Sequence, residues 1–167
     1  MTACFSTVDQ EQMPDRIQPL YVDALTLVER LHRRLLDVVK EEFDRKGRAD
    51  INPVQALLLY NIGDQEVSPG ELRTRGYYLG VNVSYNLKKM VKMGFLDHKR
   101  SCTDRRSVRI RLTDKGREVR DTISALHNRH LLTVEQVGGI NLAEFISLNK
   151  SLHRLERFWA DQCRYQL

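Results

Sequence analysis

The sequence predicts a mainly α-helical fold that carries one small β-hairpin. Apolar residues recur at intervals of three and four in long segments towards both ends of the chain, which is typical of amphipathic helices. The segment Val108–Leu112 instead alternates apolar residues with arginines, so a strand here would have one apolar and one cationic face. A second β-compatible run, 95–99, precedes it. The 167 residues, 41% of them hydrophobic, suffice for a domain with its own core and an oligomerisation element.

The first half of the chain predicts two helices. An apolar stripe extends over 18–45 and predicts one long helix with Pro19 in its first turn. Asn52 is a favourable N-cap, with Pro53 at the first helical position, so a second helix should begin there and end at Gly63. Because this second segment is apolar nearly all round, we expect it to be central and buried.

Capping signals divide the next segment into two short helices. Ser68 and Glu71 form a capping-box pattern that predicts a helix to about Arg75. A turn with two glycines leads to Asn82, which is expected to cap a helix over 83–93, closed by Gly94.

The chain then predicts the hairpin and two further helices. Thr113 is expected to cap a helix that continues through Val137 to a Gly-Gly pair. Asn141 is expected to cap the last helix, which extends through Cys163.

Positive charge is concentrated in the middle of the chain. The net charge is +5, yet residues 71–120 contain 14 Lys and Arg against 5 Asp and Glu. Such a basic segment suits a polyanion, because each neutralised phosphate releases counterions.

A short helix, a turn, a second helix and a hairpin describe a winged helix-turn-helix, whose second helix lies in the major groove. The helical wheel of 83–93 places Val83, Leu87, Met90 and Val91 towards the core. The polar residues near the start of its outward face suit bases, and its lysines suit phosphates. The candidate DNA-binding residues are Asn82, Ser84, Tyr85, Asn86, Lys88, Lys89 and Lys92 on the helix, with Asp104, Arg105 and Arg106 at the hairpin tip.

Two motifs lie at the end of the second helix and in the hairpin. The pattern D-x-R-S-x-x-x-x-L-T-x-x-G is met by Asp104, Arg106, Ser107, Leu112, Thr113 and Gly116. A helix-to-wing junction is met by Met90, Gly94, Phe95 and Leu96. In both motifs the chain resembles the MarR (multiple-antibiotic-resistance regulator) family of bacterial winged-helix transcription factors. The resemblance implies that the acid at the tip orients an arginine that reaches the minor groove.

Two departures from the family pattern concern base preference. Tyr85 stands where arginine or glutamine is common, and Asn86 where an apolar residue is usual. Together with the turn R-G-Y-Y-L-G at 75–80, they resemble the LdtR/PetP-like branch of the family.

The first and last helices carry more apolar surface than a helix-turn-helix with a wing can cover. We therefore expect a two-fold homodimer that meets a pseudo-palindromic site in double-stranded DNA; a monomer that folds these helices onto itself is the alternative. The expected interface residues are Leu20, Leu27, Phe145, Leu152, Leu155 and Trp159. The expected organisation is a flexible arm (1–17), a helical dimerisation region (18–50 and 117–167) and the winged helix-turn-helix domain (51–116).

The family resemblance also implies a pocket for a small aromatic or phenolic compound between the dimerisation helices and the DNA-binding domain. Its expected lining is Leu31, His32, Leu35, Leu58 and Ile62. His32, at the margin of the apolar stripe, is either a ligand partner or an ordinary boundary residue.

Other classes of function find little support. No catalytic motif occurs, so an enzyme is not expected, and neither a cofactor nor a metal is. The pair His127 and His130 lacks further ligands on its helix.

Three cysteines at irregular spacing form no disulfide framework, but Cys102 in its basic surroundings, or Cys4, could make the protein a thiol-based redox sensor. A winged-helix module for a protein partner is the third alternative. Without a signal peptide or an apolar run of about 20 residues, the chain is expected in the cytoplasm, without a membrane partner.

Overall fold

The structure, a computed structural model, describes residues 13–74, 81–100 and 108–165. Its elements are α1 (Met13–Arg45), α2 (Pro53–Ile62), α3 (Pro69–Thr74), α4 (Val81–Lys92), β1 (Leu96–Arg100), β2 (Val108–Leu112), α5 (Asp114–Leu131) and α6 (Leu142–Tyr165). The expectation of a mainly helical protein with one hairpin is confirmed. The described residues fall into two compact units, one up to Ile123 and one from Ser124 onward.

Helix α1 is longer than its apolar stripe indicates. It begins at Met13, so Pro19 lies inside the helix and not in its first turn as predicted. A proline there leaves the carbonyl of Asp15 without its helical N–H partner, a loss that a long helix tolerates. Only the C-terminal end of α1 contributes to the core, through Val39 and Phe43, where it packs against α2.

Helix α2 is the central helix, as predicted. Asn52 accepts the N–H of Gln55 at 2.9 Å, and Gln55 returns a bond to the backbone N–H of Asn52, which completes a capping box. Gly63 ends the helix with a positive φ of 64°. Leu58 and Leu59 are fully enclosed, so α2 forms the centre of the first unit.

The two short helices differ in how well their starts were predicted. Ser68 and Glu71 form the expected capping box, with Glu71 N donating to Ser68 Oγ at 3.1 Å. The backbone of Asn82 is already helical, because α4 starts at Val81; the expectation that Asn82 caps this helix is wrong. Asparagine is tolerated in a first turn as well as at a cap, so its presence alone does not fix a helix start.

The hairpin is antiparallel, with Leu96 opposite Leu112 and His98 opposite Ile110. Its first strand starts one residue later than predicted, since the N–H of Phe95 donates to Met90 O and still belongs to the end of α4. Ile110 also exchanges two backbone hydrogen bonds with Val67, of 3.0 and 2.8 Å. The segment before α3 is thereby tied to the hairpin.

Helix α5 starts as predicted but ends earlier. Thr113 Oγ1 accepts the N–H of Gly116 at 3.1 Å, which is the expected cap. The helix ends at Leu131, not at the Gly-Gly pair, and hydrogen-bonded turns continue to Gly139. The hydroxyl of Thr133 bonds the carbonyl of His130 at 3.2 Å and so competes with the helical ladder at this point.

Helix α6 is capped by Asn141, as predicted, in a box with Glu144. Among the described residues, no helix combines the length and the apolarity needed to cross a bilayer.

Candidate nucleic-acid interface

Helix α4 separates an enclosed apolar face from an exposed polar one. Leu87 and Met90 are buried, with Met90 completely inaccessible, and Val91 is partly covered. Tyr85 is 66% exposed, and Lys89 is also exposed. The orientation predicted for these residues is therefore confirmed.

The other candidates on α4 fall into two groups. Lys88 and Lys92 are exposed and Asn86 is partly buried. The backbones of Asn82 and Ser84 lie in the first turns of the helix, but their side chains, like that of Val83, are outside what the structure describes.

The C-terminal end of α4 is firmly attached to its surroundings. Gly94 has a positive φ of 79°, which turns the chain from the helix into β1. Its carbonyl accepts the hydroxyl of Thr113 at 2.6 Å, and the preceding carbonyl, of Met93, accepts Lys115 Nζ at 3.2 Å. The end of α4 is thus joined to the start of α5 by two bonds.

The arginines of β2 do not form the free cationic face that the alternation predicts. Arg109 Nη1 lies 3.0 Å from Glu71 Oε2 on α3, and Arg111 Nη2 lies 2.9 Å from Asp97 Oδ2 on β1. Both arginines are about half exposed, yet each is paired with a carboxylate of the fold. Arg111 thus joins the two strands of the hairpin and Arg109 attaches β2 to α3, which the sequence pattern did not reveal.

Several other cations of the basic segment are paired in the same way. Lys115 lies 3.1 Å from Asp50, Arg117 pairs with Asp114, and Arg120 pairs with both Asp64 and Asp121. By contrast, the lysines of α4 make no ion pair with any residue that the structure describes. Of the segment's cations whose side chains are described, those of α4 are therefore the ones available to an external polyanion.

The remaining candidates on the hairpin lie outside the described residues. These are Asp104, Arg105 and Arg106, together with Cys102 in the same connection; Cys4 is outside them as well. Strand β1 ends at Arg100 and strand β2 begins at Val108, so these residues belong to the connection between the two strands. Cys163 on α6 is a free, exposed thiol.

The predicted pocket residues do not share one environment. Leu58 and Ile62 are enclosed in the core, each 2% exposed, whereas Leu31, His32 and Leu35 lie on the exposed part of α1. A surface depression on α1 is lined by charged residues, Arg30, Arg33, Arg34 and Asp37, and by none of the five.

The predicted dimer residues are exposed or partly covered. Leu20 is 70% exposed, while Leu27 and Leu152 are less so, and Phe145, Leu155 and Trp159 are intermediate.

His127 and His130 lie one turn apart on α5, and within the described ranges no group of three or more metal-ligating side chains occurs.

The comparisons with known proteins concern this same region. A family of winged helix DNA-binding domains matches residues 51–116. The exopolysaccharide II synthesis transcriptional activator ExpG of Rhizobium meliloti is 34% identical over 145 residues, 87% of this chain and 74% of ExpG.

Two solved structures share the fold. FabT of Streptococcus pneumoniae in complex with DNA has a TM-score of 0.64 and 24% identity, over 84% of this chain and 98% of FabT. A cysteine-to-serine mutant of MarR from E. coli, complexed with operator DNA, has a TM-score of 0.65 and 19% identity, over 86% of this chain and 97% of MarR. The fold and the relatives are those of DNA-binding regulators, not of enzymes. This chain belongs to the MarR family of winged helix-turn-helix transcriptional regulators.

Proposed function

We propose that the protein binds a pseudo-palindromic operator in double-stranded DNA as a homodimer, and that a small aromatic or phenolic compound releases it. The observation that carries the proposal is the exposed face of α4, where Lys88, Lys89 and Lys92 have no described carboxylate partner. The opposite face of α4 packs in the core, so the positive charges are held in place before binding. A basic helix face of this kind suits the DNA backbone.

Within this face the chemistry changes along the helix. Tyr85 and Asn86 precede the lysines and, with Asn82 and Ser84, occupy the N-terminal half that enters the major groove in a helix-turn-helix. An asparagine can form two hydrogen bonds with adenine, and a tyrosine ring can contact the thymine methyl group. We therefore assign base reading to this half and phosphate binding to the lysines. The hairpin tip with Asp104, Arg105 and Arg106 is assigned to the backbone and the minor groove.

Support for the homodimer comes from exposed apolar side chains in both compact units. In the first unit, Ile17 and Leu20 on α1 are 57% and 70% exposed. In the second, Leu142, Ile146 and Leu152 lie exposed along α6. An interface between two copies would bury these exposed apolar side chains. Burial of these residues against a second copy would give the two reading helices the two-fold symmetry of a pseudo-palindrome.

The release step is proposed for the exposed part of α1. Leu31, His32 and Leu35 lie open to solvent on one chain, and a second copy seated on this helix would enclose them. An apolar wall with one imidazole would suit a flat aromatic ring that carries a phenol or carboxylate.

The DNA part of the proposal is tested by substitution on α4. DNA is first selected from a random library, and the affinity of variants for the selected sequence is then measured at several salt concentrations. Lys92→Ala is expected to weaken binding to all sequences and to reduce the salt slope by about 0.9 for each half-site, the share of one phosphate per protomer. Tyr85→Ala and Asn86→Ala are expected to relax the preference at one base pair in each half-site. Lys150→Ala, an exposed lysine on α6, serves as the control with unchanged binding.

A change of sequence preference in the lysine variant alone would show that the orientation of the helix on DNA is misassigned. Failure of the unmodified protein to enrich any sequence would contradict DNA reading itself.

The ligand part is tested with salicylate as the probe and cyclohexanecarboxylate as the matched non-aromatic acid. Salicylate is expected to raise the melting temperature and to dissociate the DNA complex at concentrations where the non-aromatic acid does neither. His32→Ala is expected to weaken both effects without changing affinity for DNA. Equal effects of the two acids would contradict an aromatic site.

A further inference from the structure

The ammonium group of Lys115 lies where three parts of the chain meet. Its Nζ is 3.1 Å from Asp50 Oδ2, 3.2 Å from the carbonyl oxygen of Met93 and 4.2 Å from the centre of the Phe95 ring. Asp50 belongs to the loop between α1 and α2, Met93 follows α4, and Phe95 immediately precedes β1. One cation in the first turn of α5 therefore contacts the loop, the C-terminal end of α4 (the reading helix) and the start of the β1–β2 hairpin (the wing).

The carboxylate of Asp50 is also fixed by contacts within the fold. Arg48 binds both oxygens of its carboxylate, through Nε at 3.1 Å and Nη2 at 3.2 Å, and the Arg48 guanidinium also lies 5.8 Å from the centre of the Phe95 ring. The hydrogen bonds from Arg48 lower the pKa of Asp50 despite partial burial, and Lys115 adds to this effect. Each oxygen of the carboxylate thus contacts a cationic side chain.

Phe95 is the residue through which these contacts act on the DNA-binding elements. Its ring is completely buried, its N–H donates to Met90 O at 3.0 Å, and its carbonyl accepts the N–H of Thr113 at 3.1 Å. The end of α4, the start of the wing and the start of α5 are thus bonded to one residue. Gly116 packs so closely on this carbonyl that an added Cβ would lie 2.2 Å from its oxygen, which leaves little room for movement.

A small change at this point is magnified at the other end of the helix. Helix α4 has 12 residues and is about 18 Å long at about 1.5 Å per residue. A tilt of about 5° at its C-terminal end would displace its N-terminal end by about 1.5 Å, by simple geometry on that length. The residues proposed to read bases lie in that N-terminal half.

We propose that Asp50 is a positioning residue for DNA recognition, acting through Lys115 to fix the reading helix and the wing relative to the α1–α2 loop. The inference rests on the proposed function, because its consequence is measured as affinity for an operator. Lys115 already uses two of its three N–H groups within the fold, on Asp50 and on the Met93 carbonyl. These contacts favour a positioning role for Lys115 over direct binding of a phosphate.

The charge of Asp50 gives the test a clear sign. Removal of a negative charge from a DNA-binding protein strengthens binding if only the overall electrostatic field matters. Positioning predicts the reverse: Asp50→Asn is expected to bind the operator about threefold more weakly, the size of a partly exposed ion pair, with an unchanged salt slope. Asp64→Asn is the matched control, since it removes the same charge and an ion pair with Arg120 on α5, but no described contact with Phe95 or α4.

Lys115→Gln separates positioning from phosphate contact. A glutamine still carries N–H donors but has no positive charge, so it cannot form the ion pair with Asp50, and we expect weaker binding with the salt slope retained. A slope reduced by about 0.9 for each half-site would instead assign Lys115 to a phosphate and overturn the proposal. Equal or tighter operator binding by Asp50→Asn, relative to Asp64→Asn, would overturn it as well.

Hydrogen exchange provides a readout that does not depend on DNA. The amides of Met93, Gly94 and Phe95 donate to Lys89, Val91 and Met90 at the end of α4. Both Asp50→Asn and Lys115→Gln are expected to speed exchange at these amides, while Asp64→Asn does not. Unchanged exchange in both variants would refute the positioning role even if no operator were found, whereas absence of DNA binding by the unmodified protein would refute only the proposed function.

Discussion

Glu71 and Arg109 form an ion pair of 3.0 Å that joins the first turn of α3 to strand β2. The same carboxylate oxygen, Oε2, accepts the backbone N–H of Ser68 at 2.5 Å, so one side chain completes a helix cap and binds the wing. The backbone bonds between Val67 and Ile110 lie beside this pair. Arg109 is therefore part of the attachment of the hairpin to the helix-turn-helix, although the alternation in β2 places it on a cationic face.

The first prediction compares Arg109 with Arg106 at the tip. Arg109→Met keeps much of the aliphatic packing and removes the ion pair, so the free energy of unfolding should fall by less than about 1 kcal/mol, as for a partly exposed pair. The salt dependence of DNA binding should not change. Arg106→Ala should weaken binding to every sequence and reduce the salt slope by about 0.9 for each half-site.

Urea denaturation and binding titrations at several salt concentrations measure the two effects. Arg111→Met, which breaks the pair with Asp97, is the control for loss of a positive charge from the same strand. If Arg109→Met lowers the salt slope as much as Arg106→Ala does, Arg109 contacts phosphate and its pairing with Glu71 is not retained on DNA.

The second prediction concerns Gly116, the last glycine of the wing motif. A Cβ at this position would lie 2.2 Å from the carbonyl oxygen of Phe95, which is backbone and cannot rotate away. Gly116→Ala should therefore destabilise the protein by about 1–3 kcal/mol, as expected for overpacking. Gly70→Ala is the control: its Cβ would meet only Ser68 Oγ at 3.7 Å, an ordinary contact, so stability should be unchanged or slightly higher. Equal melting temperatures of the two variants would show that Gly116 has more room than the structure gives it.

Local signals in the sequence predicted most of the helix starts. The caps at Asn52, Ser68, Thr113 and Asn141 are all present, because each depends on a side chain and an N–H only three residues apart. The buried face of α4 followed from its periodicity for the same reason. The start of α1 was missed because a proline is tolerated inside a long helix as well as in its first turn.

The pairing of the charges could not be predicted, since it depends on tertiary contacts. Nothing near Arg109 in the sequence points to Glu71, and nothing near Lys115 points to Asp50, because each pair joins distant segments. Counting charges over 71–120 therefore overstated the free positive charge of the wing. The lysines of α4, by contrast, make no ion pair with any residue that the structure describes.

The third prediction concerns pH and His127 on α5. Burial lowers the pKa of His127 below its ordinary value of 6.5, and the neighbouring His130 lowers it further. The unfolded chain therefore takes up a proton at a higher pH than the folded protein does. Stability from this group is complete above about pH 6.5 and is lost as pH falls below that value.

Melting temperatures between pH 7.5 and 5.5 test this dependence. His127→Gln should show a smaller decrease over this range than the unmodified protein. An identical pH profile for His127→Gln would mean that this histidine titrates alike in the folded and unfolded states.

The last prediction concerns assembly. Phe145, Leu152, Leu155 and Trp159 recur on one stripe of α6, and Leu20 and Leu27 are exposed on α1. Each large apolar side chain that becomes fully buried contributes about 1.5–3 kcal/mol, so several together can exceed the entropic cost of association. Deletion from Leu152 onward should therefore abolish the dimer and tight operator binding together, since a single half-site retains only one set of contacts. Light scattering and binding titrations measure the two losses.

A point variant separates loss of the interface from loss of the helix. Leu152→Glu places a charge on the apolar stripe and should give a folded monomer, because burial of an unpaired carboxylate in an interface is costly. Ser147→Glu introduces the same charge about 125° away from the stripe on the helical wheel, at 100° per residue, and should remain dimeric. Both variants should keep the far-ultraviolet circular dichroism of the unmodified protein. A full-length protein that is monomeric at micromolar concentration and still binds its operator tightly would refute assembly through these helices, because one reading helix and one wing would then suffice for recognition.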